Sequence, residues 1–108
     1  MSYRPLKEFL TVKESKLNGL GLFATQKLEH PVNLGLSHFM YKNELKRETY
    51  IDFVNHSKTP NLEITWNDKT NEASCKTIKD VEKGEELTVD YNKALICGYT
   101  KEQIKSFN

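Results

Sequence analysis

Three short segments carry residue types that can hold a ligand or move a chemical group. Gly19-Leu20-Gly21-Leu22-Phe23-Ala24 sets two glycines at the head of an apolar run. Glycines at that spacing let a backbone turn sharply and approach a neighbouring group closely. The string formally matches a dinucleotide-binding fingerprint, which requires a helix after it. Pro31 interrupts the stretch where that helix would run, so a tight turn between two strands is the simpler reading. Asn55-His56-Ser57-Lys58-Thr59-Pro60-Asn61 gathers amide, imidazole and hydroxyl groups directly after the apolar Tyr50, Ile51, Phe53 and Val54. Such a run is either an ordinary connection or a set of polar groups held in a buried site, where every hydrogen bond must be specified. Gly84-Glu85-Glu86-Leu87-Thr88-Val89-Asp90-Tyr91 reads as a turn and a strand ending on a phenol. That phenol belongs either to the core or rim, or to a reaction centre.

Other chemistries find less support. His30, His38, His56, Cys75 and Cys97 are scattered, and no two of them stand at the short spacings of zinc ligands, so no metal is expected. Ser57 beside His56 is not a nucleophile and its base, because sequence neighbours rarely meet in that geometry.

The elements that must position these segments are mostly extended. Leu10 and Val12 alternate with polar residues, as do Leu62, Ile64 and Trp66, and Leu87, Val89 and Tyr91. Asn33 to Tyr41 puts Leu34, Leu36, His38 and Met40 on one face and Phe39 on the other. Asn67 to Asn71 predicts a hairpin loop into Ala73–Ile78, and Lys83-Gly84 a turn before the last strand. Asn43 to Phe53 predicts one or two helical turns with Leu45 and Thr49 on one side. Thr100-Lys101-Glu102-Gln103 is a capping box with Tyr99 and Ile104 as its hydrophobic staple, so a short helical tail is expected over 99–108. The expected class is mainly β with small helical pieces.

Size and charge narrow the field further. A chain of 108 residues and 12.5 kDa makes one domain, 1–108. Its net charge of +1 excludes bulk neutralisation of a polyanion, so direct nucleic-acid binding is not expected. Leu, Ile, Val and Phe make up 27 of the 108 residues, above the range of disordered chains, so one small core is expected. No signal-like or membrane-length apolar run appears, and the two cysteines form no disulfide framework. A soluble, intracellular protein of a reducing compartment, without membrane contact, is the expectation.

Taken in order, the three segments resemble the three motifs of the SET-domain protein-lysine methyltransferases, with core motifs over 16–92. The resemblance is to small stand-alone viral or bacterial members, since flanking cysteine-rich segments are absent and the insert between the first two motifs is short. It implies a β-clip-like fold of several small sheets with short helices and a C-terminal pseudoknot, in which the last motif passes under a loop. It also implies S-adenosylmethionine as cofactor and a protein lysine as substrate. On that resemblance Gly19, Leu20, Gly21, Asn55, His56 and Tyr91 would hold the cofactor, and Tyr91 would be the catalytic tyrosine. Tyr50, Phe53, Val89 and Tyr99 would line the lysine channel, with Val89 tuning how many methyl groups are added. A homodimer could complete the substrate groove. The competing reading is an inactive SET-like module that binds S-adenosylmethionine or a protein segment.

Overall fold

Alternation of apolar and polar residues becomes strands almost throughout the chain. The computed structural model describes residues 6–17, 19–91 and 93. In chain order these form β1 (Leu10–Glu14), β2 (Leu20–Ala24), β3 (Asn33–Tyr41), β4 (Glu44–Arg47), a 3-10 helix (Thr49–Phe53), β5 (Asn55–His56), β6 (Leu62–Asn67), β7 (Glu72–Thr77) and β8 (Glu86–Val89). The fold is mainly β. The expected helical tail over 99–108, with Tyr99, and the cysteine at 97 lie outside the described residues.

Two four-stranded sheets share one core. The first has the order β1-β2-β8-β5 and the second β4-β3-β7-β6. In the second sheet every pair is antiparallel, and β6–β7 keeps a continuous register from Leu62↔Thr77 to Asn67↔Glu72. The first sheet is assembled from remote segments: β2 pairs β8 antiparallel through Leu22↔Leu87 and Phe23↔Glu86, and β5 pairs β8 in parallel through Asn55↔Thr88 and His56↔Val89. A parallel pair needs a long crossover, and here the β6–β7 hairpin is carried inside it. This is the crossing that brings the second and third sequence motifs side by side.

The core joins both sheets and includes Leu10, Leu22, Leu34, Leu62, Val81 and Leu87, of which Leu22, Leu62, Val81 and Leu87 are fully buried. Each such side chain contributes about 1.5–3 kcal/mol on burial. Leu28 and Val81 exchange backbone hydrogen bonds of 2.8 and 2.9 Å, which ties the connection after β2 to the approach to β8.

Two expectations are corrected. Within Asn43 to Phe53 the expected helical turns are confined to the end, and Leu45 and Thr49 are not on one side. Lys42 and Asn43 both take positive φ (50° and 65°) and turn the chain directly into β4, where Leu45 pairs Met40. Only Thr49–Phe53 is helical, and Leu45 is buried while Thr49 is exposed, so the two do not share a face. In β3 the strict alternation fails as well. Register shifts at Asn33/Gly35 and Leu36/His38 insert bulges, so that neighbouring Ser37 and His38 are both buried.

Candidate active site

The β1–β2 hairpin supplies the first part of the site. Gly19 sits in the turn at φ 47°, and its carbonyl accepts from the Ser15 N–H at 2.8 Å. Gly21 lies inside β2 opposite Lys13. A side chain there would collide with Glu86, whose Cδ would stand 2.9 Å from the added Cβ, and with Ser15 Cβ at 3.0 Å. The close approach that Gly21 permits on the side of its missing Cβ is made by a carboxylate of the third motif.

That carboxylate is held at both oxygens. Ser15 Oγ donates to Glu86 Oε1 at 2.7 Å, and Asn55 Nδ2 donates to Glu86 Oε2 at 2.8 Å. Asn55 Nδ2 also donates to the Leu20 carbonyl at 3.1 Å. One amide therefore links the first motif to the third. Hydrogen bonds to an ionised carboxylate are about twice as strong as neutral ones, so the junction is firm although half exposed.

Successive residues of a strand point to opposite faces, and the partners of β5 follow that rule. Asn55 turns toward Glu86, while His56 turns toward Tyr91. The Tyr91 N–H donates to His56 Nδ1 at 3.0 Å, and the two rings are 5.2 Å apart at 47°. Asp90 Oδ1 stands 3.8 Å from the same imidazole nitrogen. The Tyr91 hydroxyl donates to the Val54 carbonyl at 2.7 Å, and burial pushes its pKa above the ordinary phenol value. Tyr91 is nonetheless 44% exposed.

A groove of about 300 Å³ is lined by Leu10, Leu34, Leu36, Glu48, Tyr50 and Phe53 among others. Tyr50 Oη donates to the Gly35 carbonyl at 3.3 Å and also meets the Cys75 thiol. Burial pushes Tyr50 far above the usual phenol range and Cys75 up to about 12, so both stay protonated. The groove and the tyrosine cluster meet in sequence, because Phe53 precedes Val54, the anchor of the Tyr91 hydroxyl. Val89 does not line this groove; it belongs to the core at 5% exposure, across from His56.

Two side chains that the sequence reading left out hold the site together. Glu86 is one. The other is Asn61, 3% exposed, whose Nδ2 donates to the Glu86 carbonyl at 2.9 Å while its Oδ1 accepts from the Thr88 N–H at 2.8 Å. Its amide acts as one more strand residue beside β8. Both lie inside motifs singled out from the sequence, but alternation alone does not say which carboxylate or amide turns inward.

Comparison with known proteins bears on this arrangement of three motifs around β5 and β8. The family model of the SET domain matches residues 23–92. The chain belongs to the SET domain family. The match takes in the second and third motifs and leaves Gly19 to Gly21 just before its first residue. The methyltransferase domain of human PR domain-containing protein 2 has the same fold, at a TM-score of 0.63 and 18% identity over 87% of this chain and 80% of that one. A Plasmodium falciparum protein assigned as a histone methyltransferase aligns at TM-score 0.60 and 18% identity, over 88% of this chain and 97% of that one. A chain of the Chaetomium thermophilum Polycomb Repressive Complex 2, in a humanized mutant, aligns at TM-score 0.60 and 18% identity over 80% of this chain but 15% of its own length. At such identities the likeness is one of fold. No curated protein matches the sequence.

Proposed function

We propose that this SET domain transfers a methyl group from S-adenosylmethionine to the side-chain amine of a lysine in a protein. The observation that supports this most is the meeting of the three motifs: Asn55 bridges Leu20 and Glu86, and His56 accepts from the backbone of Tyr91. The donor set suits the cofactor. S-adenosylmethionine carries an ammonium and a sulfonium, and the Asp90 carboxylate stands beside the His56 imidazole at the end of the Asn55–His56 strand. Gly19, Leu20, Gly21, Asn55 and His56 would hold it, and when bound it supplies an electrophilic methyl on a positive sulfur.

The rest of the chemistry falls to the chain. Methyl transfer is an in-line displacement, so most of the help is alignment. Tyr91 has committed its one hydroxyl proton to the Val54 carbonyl, which leaves its oxygen to accept. With its pKa raised it remains a phenol at neutral pH, so it orients an amine N–H and does not act as a base. The incoming lysine must be neutral. At a pKa of about 10.4 its deprotonation near pH 7 costs roughly 4–5 kcal/mol. Tyr50 and Phe53 would line the channel, where Leu10, Leu34 and Leu36 desolvate the amine and remove part of that cost, against an opposing pull from the Glu48 carboxylate.

Labelled S-adenosylmethionine incubated with the protein and a mixed lysate should label a protein band at lysine. Tyr91→Phe, which removes the orienting oxygen, should lower labelling about a hundredfold or more, the scale of losing one preorganised polar group at a reaction centre. Equal labelling by wild type and Tyr91→Phe would overturn the role of Tyr91. Cofactor binding without labelling by either protein would favour an inactive binding module.

A further inference from the structure

Glu86 lies outside the residues assigned to cofactor or substrate, yet its carboxylate is engaged at both oxygens, by Ser15 and by Asn55. β2 has a glycine at position 21 where any side chain would displace it. The consequence falls on Asn55. An asparagine amide is nearly symmetric in shape, and only its partners decide which end points where. Here both groups facing Nδ2, the Glu86 carboxylate and the Leu20 carbonyl, are acceptors with no hydrogen to give. Turning the amide over would set its oxygen against both of them. The amide is therefore fixed with nitrogen inward, and its oxygen is directed to the other side.

We infer that Glu86 is a positioning residue: backed by Ser15, it locks the Asn55 amide so that Asn55 meets the cofactor through its oxygen, as an acceptor for a cationic group. This rests on the reading of Asn55 as a cofactor contact. It predicts that Glu86 acts through Asn55 and through no contact of its own. Glutamine at position 86 can still offer an oxygen to Asn55 Nδ2 and turn its own amide nitrogen toward Ser15 Oγ, so it should preserve the lock. Alanine cannot.

The test is a double-mutant cycle read by calorimetry with S-adenosylmethionine, together with the side-chain amide resonances of Asn55 recorded without cofactor. Glu86→Ala should weaken binding about tenfold, the scale of one charged hydrogen bond, and Glu86→Gln should stay within about threefold of wild type on the same scale. In an Asn55→Ala background, Glu86→Ala should add less than about twofold, because coupled residues are not additive. The Asn55 amide signals should shift and exchange faster in Glu86→Ala but not in Glu86→Gln. If Glu86→Ala does not fold, Ser15→Ala gives the same comparison with a smaller effect. A full tenfold loss in the Asn55→Ala background would overturn the lock while leaving the cofactor reading intact. Amide signals of Asn55 unchanged in Glu86→Ala would overturn it too. A wild type that binds no cofactor would remove the function reading, and with it the role of the lock in binding.

Discussion

The two sheets are equal in strand number and opposite in construction. The sheet β4-β3-β7-β6 is built around the nine-residue β3, and its β3–β4 and β6–β7 pairs are sequence neighbours joined by short turns. The sheet β1-β2-β8-β5 sets the β1–β2 hairpin beside β8 and β5, which come from far along the chain, and its parallel pair is two residues long. Backbone ladders suffice for the first. The second needs side chains to complete it: Asn61 beside β8, Asn55 onto Leu20 and Glu86, and Ser15 onto Glu86. A ladder that short leaves polar groups to be satisfied by specific residues, and those residues are then in place to meet a ligand. The candidate site lies where the backbone pairing is shortest.

The sharpest break of this comparison is Asn61→Ala. It strips a buried N–H of Thr88 and a carbonyl of Glu86 of their partner at once. Unsatisfied buried groups cost about 1–3 kcal/mol each, so a loss of about 2–4 kcal/mol is expected in denaturant unfolding. That is a large part of the roughly 5–15 kcal/mol of a typical domain. Thr65→Ala, at an exposed position of β6, should change stability by less than about 0.5 kcal/mol. Similar losses for the two variants would mean that side chains do not complete the first sheet.

The ladder sheet has its own weak point, and it is sensitive to pH. Burial, and after it the Arg47 guanidinium, push the pKa of His38 from about 6.5 down to about 4, against a smaller opposing pull from Asp52. The folded state therefore holds this proton less well than the unfolded state. Stability from the neutral imidazole is complete above pH 6.5 and falls as pH drops toward 4, by up to about 3 kcal/mol in all. Unfolding measured at pH 7.5, 6, 5 and 4 should show this slope, and His38→Leu should flatten it. An unchanged slope in that variant would place the acid sensitivity elsewhere.

The same contrast explains what could be read from the chain. Alternation located β1, β6 and β7 and the turn at Gly84, because local period and turn chemistry suffice for neighbouring strands. It failed at Ser37 and His38, since a bulge is decided by the register of the partner strand and leaves no mark in spacing. It also failed at Glu44–Arg47, where the two positive-φ residues before the strand outweighed a weak helical pattern. The motifs around Gly19, Asn55 and Tyr91 were legible as residue types. Their mutual contacts were not: the pairing of β5 with β8 joins residues more than thirty positions apart, and nothing within either segment says that Glu86 faces Gly21.

Gly21→Ala tests that last contact with the smallest chemical change. Its backbone is that of an ordinary strand, so the added methyl brings no conformational penalty, only the collision with Glu86 and Ser15. Glu86 is half-buried at the sheet surface and can swing outward, which limits the destabilisation to about 1–2 kcal/mol, near the lower end for overpacked sites. The swing would pull the carboxylate from Asn55 and from Ser15 together. Cofactor affinity should then fall by about as much as in Glu86→Ala, although no polar group has been deleted. Gly84→Ala makes the opposite comparison, since it has open space around it but a φ of 85° that strains any side chain. That variant should lose a similar amount of stability and keep its cofactor affinity. Should both glycine variants weaken binding equally, the loss would follow general stability, and the close approach at Gly21 would have no special bearing on the site.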